Sequence, residues 1–149
     1  MHKIYFDNAA TTPVRPEVKE AMQPYFCEKY GNPSGMYKLA SECRRDMELV
    51  RKQIGETLGA SPEEIYFTSG GTESDNWAIK STAQLLQEKG RHIITSKIEH
   101  HAVLNSCTYL EKQGFEVTYL DVDEWGSVRL DVLEKMIRKD TILISVMYA

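Results

Sequence analysis

Short apolar runs rich in β-branched and aromatic residues recur along this chain, and single stretches of helical periodicity separate them. The runs lie at 65–69 (Ile-Tyr-Phe-Thr-Ser), 92–95 (His-Ile-Ile-Thr), 115–120 (Phe-Glu-Val-Thr-Tyr-Leu) and 141–147 (Thr-Ile-Leu-Ile-Ser-Val-Met). Residues 72–89, 102–113 and 130–138 between them read as helices. A strand that returns to its sheet through one helix does so by a right-handed crossover, which makes the sheet mostly parallel. The expected fold is therefore α/β, a parallel-rich sheet flanked by helices. Two further helices are expected ahead of these runs. One covers 16–30 and opens on Pro16, a favoured first-turn residue. The other covers 37–58, where Leu39, Cys43, Met47, Val50, Ile54 and Leu58 fall three or four residues apart on one face. Gly59 stands where a C-cap belongs, and Gly31-Asn32-Pro33-Ser34-Gly35 breaks the chain between the two helices.

The chain has 149 residues, 42% of them hydrophobic and 27% charged, which suits one ordinary globular domain. A net charge of −4 argues against a nucleic-acid or anionic-membrane surface, since phosphate backbones are met by a basic face. No apolar run approaches the ~18–20 residues of a membrane span, and the first residues carry no secretory apolar stretch. Cys27, Cys43 and Cys107 form no C-x-x-C pair, so neither a disulfide framework nor a thiolate zinc site is encoded. A reduced, cytoplasmic protein is expected. The last run reaches Tyr148-Ala149 with no helix after it to cover a buried strand, which reads as the first part of a longer protein.

The segment most able to carry chemistry is 65–74: a strand, the turn Gly70-Gly71, and the helix start Thr72-Glu73-Ser74. Two glycines let backbone N–H groups approach one point, and a helix N-terminus adds positive potential worth ~0.3–1 kcal/mol. With a hydroxyl from Thr72 or Ser74, this is the chemistry of an anion cradle, and a phosphate is the expected guest. It is neither a Walker A loop nor G-x-G-x-x-G, and a tight turn with no ligand remains the alternative. Glu99-His100-His101 follows the second run, at the sheet edge where α/β folds bind ligands. Adjacent histidines diverge and no H-x-x-H or H-x-x-x-H partner exists, so no metal site is expected there. His100 is read either as a packing or capping residue or as an acid–base group. Lys97 reads as a solvated surface lysine, and Cys43 and Cys107 as buried small hydrophobes on helical stripes. The segment 7–13, including Asn8, Ala9, Ala10 and Thr11, is either a surface arm or a loop reaching a pocket.

Four segments taken together resemble a known family. Tyr5-Phe6-Asp7-Asn8-Ala9-Ala10-Thr11-Thr12-Pro13, Gly31-Asn32-Pro33-Ser34, Phe67-Thr68-Ser69-Gly70-Gly71-Thr72-Glu73-Ser74-Asp75-Asn76 and Ile98-Glu99-His100-His101-Ala102-Val103-Leu104 are similar, in order, to the opening part of the cysteine desulfurases. These are class-V aminotransferase-like enzymes that use pyridoxal phosphate, and the resemblance spans essentially the whole chain. It implies part of the large domain of a fold-type I transferase, with residues 1–15 as an arm against a small domain and 16–149 as the truncated first part of the cofactor-binding domain. By the same resemblance, Gly70, Gly71 and Thr72 hold the cofactor phosphate. His100 stacks on the pyridine ring and serves in acid–base steps. Asn8, Ala9, Ala10 and Thr11 lie near the substrate entrance.

The resemblance further implies removal of sulfur from L-cysteine to give L-alanine and an enzyme persulfide, for iron–sulfur or thio-cofactor assembly. It implies a homodimer and a sulfur-acceptor or scaffold partner. An Asn-rich continuation, an Asp for the pyridinium nitrogen, the Schiff-base Lys, a nucleophilic Cys and a substrate-binding Arg are expected beyond Ala149, and the 149-residue chain alone is expected to be inactive. A selenocysteine lyase or another class-V enzyme, and a non-catalytic module that dimerises or binds a phosphorylated ligand, are the rival readings.

Overall fold

The computed structural model describes residues 4–148, and the chain divides between Tyr66 and Phe67 into two compact units. In the first unit, residues 4–15 form neither helix nor strand, and the Ala10 and Thr11 amides fold back onto the Asp7 carbonyl at 3.1 and 3.3 Å. The expected arm 1–15 begins with three residues, Met1 to Lys3, that lie outside the described ones, as does Ala149.

The single helix expected over 16–30 is two short ones, α1 (Pro16–Met22) and α2 (Pro24–Cys27). Pro24 is the cause. It has no N–H to donate to the preceding turn, so α1 closes on the Gln23 amide, which donates to the Lys19 and Glu20 carbonyls. Asp46 Oδ2 holds the second helix by accepting from Tyr25 Oη at 3.0 Å and Lys29 Nζ at 2.7 Å. Asp46 belongs to α3 (Lys38–Leu58), the helix expected from the apolar stripe, and Gly59 caps it at φ 69°, where a Cβ would be strained. The stripe is buried at Cys43 but exposed at Val50 and Leu58. A 3-10 turn at Pro62–Glu64 follows, with Glu64 Oε2 accepting from both the amide and the hydroxyl of Ser61.

The apolar run 65–69 was expected to be a strand. Its backbone is extended at Ile65, but the run lies outside the sheet. Residue pattern reports only a willingness to pair; the ladder itself requires a neighbouring strand in register.

The second unit carries the sheet. Helix α4 (Gly71–Leu86) leads into β1 (His92–Ser96), then α5 (His101–Glu111), β2 (Glu116–Leu120), α6 (Leu130–Met136) and β3 (Thr141–Ser145). The strand order is β2-β1-β3 and both pairings are parallel, as crossovers through single helices require. All five residues of β1 are buried. Ile79 and Ala83 of α4 and Val103, Cys107 and Leu110 of α5 pack with Ile93 and Phe115 into the core. At the opposite end of β1, a Cβ on Gly90 would collide with the Asp140 carbonyl, so only glycine allows the approach that precedes β3. Helix α6 is shorter than expected, because Ile137 has already turned extended at ψ 125°.

His92 is the unusual member of the central strand. Fully buried, it hydrogen-bonds Thr118 of β2 through Nε2 at 2.8 Å and Thr141 of β3 through Nδ1 at 2.7 Å. Burial, and secondarily the nearby Arg138 guanidinium, push its pKa below the usual imidazole value.

Candidate functional site

The connections on either side of β1 are short, residues 87–91 before it and 97–100 after it. Helix α4 runs down to the start of β1, and α5 starts from its end. The two helices pack against each other, which brings both N-termini to the C-terminal edge of the sheet. In open α/β folds that edge is where ligands bind.

At the first N-terminus, Thr68 Oγ1 and Ser74 Oγ share a hydrogen bond of 2.7 Å, and the Ser74 amide closes the bend onto the Gly70 carbonyl at 3.2 Å. The Ser69 amide is already taken: it donates to Glu73 Oε2 at 2.6 Å. That bond, with the Ser69 side chain, holds the Glu73 carboxyl below the usual carboxylate range. The amides of Gly70, Gly71, Thr72 and Glu73 donate to no backbone carbonyl among the described residues, as befits the first turn of a helix. Gly70 is in extended backbone that any residue adopts, and a Cβ built on Gly70 or Gly71 meets nothing within 4 Å. Packing among the described residues therefore demands no glycine at either position.

At the second N-terminus, His100 is the N-cap of α5. Its Nδ1 accepts from the Ala102 amide at 3.1 Å, so the neutral ring carries its proton on Nε2. The ring is exposed, and that of His101 lies 6.3 Å away, centroid to centroid, tilted by 55°. Gly70, Gly71, Thr72 and His100 thus belong to one edge of one unit. Asn8, Ala9, Ala10 and Thr11 belong to the other unit, in the turn closed on Asp7.

Sequence reasoning passed over Glu99. It is only 7% exposed, and its Oε1 accepts from the Ser96 hydroxyl at 3.0 Å and from the Met147 amide at 2.6 Å. No local signal could have found this, since Met147 is 48 residues away. Lys97 is a half-exposed lysine paired with Asp121. Cys43 and Cys107 are buried, and burial pushes the Cys107 thiol up to about 11, far from a nucleophile's range. Among the described residues no group of three or more His, Cys, Asp or Glu could hold a metal ion, and no helix is long and apolar enough to cross a membrane.

The chain is 60% identical over 146 residues to the cysteine desulfurase IscS of Methanosarcina thermophila, a match covering 98% of this chain and 36% of that protein. It is 57% identical to the cysteine desulfurase IscS of Dictyoglomus turgidum, covering 99% of this chain and 37% of that one. Among solved structures, a NifS-like protein matches with a TM-score of 0.95 and 45% identity, over 99% of this chain and 41% of its own. SspA in complex with cysteine matches with a TM-score of 0.88 and 44% identity, over 95% of this chain and 41% of its own. The chain thus spans well under half the length of these relatives. The parallel sheet, its flanking helices and these likenesses make the fold that of the fold-type I pyridoxal-phosphate enzymes. The class-V aminotransferase family model matches residues 4–149, and the chain belongs to that family.

Proposed function

We propose that this chain is part of an enzyme that takes sulfur from L-cysteine, leaving L-alanine and an enzyme-bound persulfide, with pyridoxal phosphate as its cofactor. The observation that carries the reading is the open bend at Gly70–Thr72 on the same sheet edge as His100, in a chain so similar to cysteine desulfurases.

The residues present fit that cofactor. The amides from Gly70 to Glu73 have no backbone acceptor among the described residues, and the missing Cβ atoms of Gly70 and Gly71 leave open space above them. A phosphate brought there would accept from the amides of Gly70, Gly71 and Thr72 and from the Thr72 hydroxyl, with the α4 N-terminus favouring its charge. The cofactor, when bound, supplies an electron sink for the substrate's Cα. His100 offers an exposed ring face for stacking, worth ~0.5–1.5 kcal/mol beyond burial. The Ala102 amide fixes that ring through Nδ1, which leaves the Nε2 N–H to donate to a bound group; the ring takes up a proton only by releasing the Ala102 amide from Nδ1.

In this reading residues 16–149 belong to the cofactor-binding large domain, and residues 1–15 form an arm that carries Asn8, Ala9, Ala10 and Thr11 to the substrate entrance. The enzyme is a cytoplasmic homodimer that passes its persulfide to a sulfur-acceptor or scaffold protein. The lysine that anchors the cofactor and the cysteine that carries the persulfide are not in this chain, so the 149 residues alone are inactive.

The test compares the full-length protein, the 149-residue chain and a full-length Gly71→Val variant. The full-length protein is expected to show visible cofactor absorbance and to release sulfide from cysteine in the presence of a thiol. The 149-residue chain is expected to release none. Gly71→Val should fold, since its side chain meets open space, yet hold the cofactor at least about tenfold more weakly, equivalent to ~1.4 kcal/mol. Full cofactor absorbance in Gly71→Val, or sulfide release by the 149-residue chain, would overturn the assignment.

A further inference from the structure

A buried carboxylate at the functional edge is left without a role by the proposed chemistry. Glu99 sits between β1 and His100, and a single oxygen, Oε1, receives two donors from separate parts of the chain. One is the hydroxyl of Ser96, the last residue of β1. The other is the amide of Met147, two residues past the end of β3. Strands β1 and β3 are neighbours in the sheet, and their paired residues end at Thr95 and Ser145. Beyond that point the ladder no longer holds the two chains together, and the Glu99 side chain does so instead. A carboxylate accepting a backbone N–H is a strong, charge-assisted bond, and a buried one is costly to break.

We propose that Glu99 is a positioning residue for His100 and for the backbone that leaves β3. It rests on the reading of His100 given above and deepens it. His100 follows Glu99 directly, and its Nδ1 is fixed by the first turn of α5. The imidazole is therefore anchored on one side to α5. On the other side its backbone hangs from a residue locked to the end of β1 and to the backbone just past β3. Loss of the clamp frees the turn 97–100 and the exit of β3 at once. The backbone at Met147 leaves β3 at the edge that holds His100, so the same bond fixes where that backbone lies relative to His100. The second oxygen, Oε2, accepts no hydrogen bond among the described residues, so a glutamine amide could take the place of the carboxylate and keep both bonds through its carbonyl.

The experiment uses the full-length protein with Glu99→Ala and Glu99→Gln, read by amide exchange, by the His100 ring signals in NMR, and by steady-state kinetics. In Glu99→Ala, the Met147 amide should exchange at least about tenfold faster and the His100 ring signals should shift, while amides in the middle of β1 keep their protection. The same variant should lose about tenfold or more in kcat with KM within about twofold, the mark of a misplaced group rather than lost binding. Glu99→Gln should restore all three. If Glu99→Ala fails to fold, Glu99→Asp, one methylene shorter, is read the same way. Unchanged Met147 exchange and His100 signals would overturn the clamp. A freed Met147 amide with unchanged kcat would overturn the positioning role. A wild-type protein that turns over no cysteine would remove the proposed reaction, and the Met147 and His100 signals would then decide the clamp by themselves.

Discussion

A Cβ on Gly70 or Gly71 would meet nothing, whereas one on Gly90 would strike the Asp140 carbonyl, so packing accounts for the glycine at 90 and not for the pair at 70 and 71. The motif around Gly70 and Gly71 was legible because its neighbours in space are its neighbours in sequence. Glu99 and His92 were not, because Met147, Thr118 and Thr141, which fix their side chains, stand 26 to 49 residues away and no local pattern announces them. Thr95 is the opposite case, a buried hydroxyl on the central strand whose Oγ1 has no hydrogen-bond partner among the described residues. An orphaned hydroxyl costs ~1–3 kcal/mol in desolvation, and valine has nearly the same shape. Thr95→Val is therefore expected to raise stability by about 1 kcal/mol in urea unfolding. A loss of similar size would mean that the hydroxyl has found a partner.

Among the elements, β1, α5 and β2 were read within a residue or two of their bounds, since β-branched runs and helical stripes are written locally. The division of 16–30 turned on one proline whose missing donor outweighed the periodicity around it. The run 65–69 failed as a strand for a different reason: its residues suit a strand, but membership of a sheet is decided by the register of other segments. The central strand carries a pH dependence that its sequence alone does not reveal. Around His92 stand Arg138, Glu116 and Asp140, with the Thr118 and Thr141 hydroxyls on its two nitrogens. Its folded pKa lies below the unfolded value of about 6.5, so the unfolded chain binds a proton that the folded one refuses. The stability it contributes is complete above about 6.5 and is lost as pH falls from there through the folded value. The pKa values of Glu116 and Asp140 are lowered mainly by Arg138, so their contribution is lost only further down, at and below the carboxylate range. Urea unfolding between pH 7 and 5 should show stability falling with acid. His92→Leu should flatten that slope and cost ~1–3 kcal/mol at neutral pH, because two threonine hydroxyls lose their imidazole partner. An unchanged slope would assign the acid sensitivity to other groups.

For the whole molecule, the decisive fact is that it matches relatives of more than twice its length while exposing large apolar side chains. Phe6 is 94% exposed, Trp125 84% and Leu58 69%. Such surface seeks a cover. The isolated 149-residue chain is expected to self-associate at micromolar concentration and to bind an apolar dye, whereas the full-length protein should bind much less dye per chain. A monomeric, dye-free 149-residue chain in sedimentation would refute this. The strand order has a kinetic corollary. Because, among the described residues, β2 and β3 touch only through β1, neither ladder can exist before the middle strand is in place; the β1–β2 ladder closes across α5, and the β1–β3 ladder across α5, β2 and α6. Among the described strands the sheet therefore has no half-built form with its two outer strands joined, and every order of assembly runs through one five-residue segment, His92–Ser96.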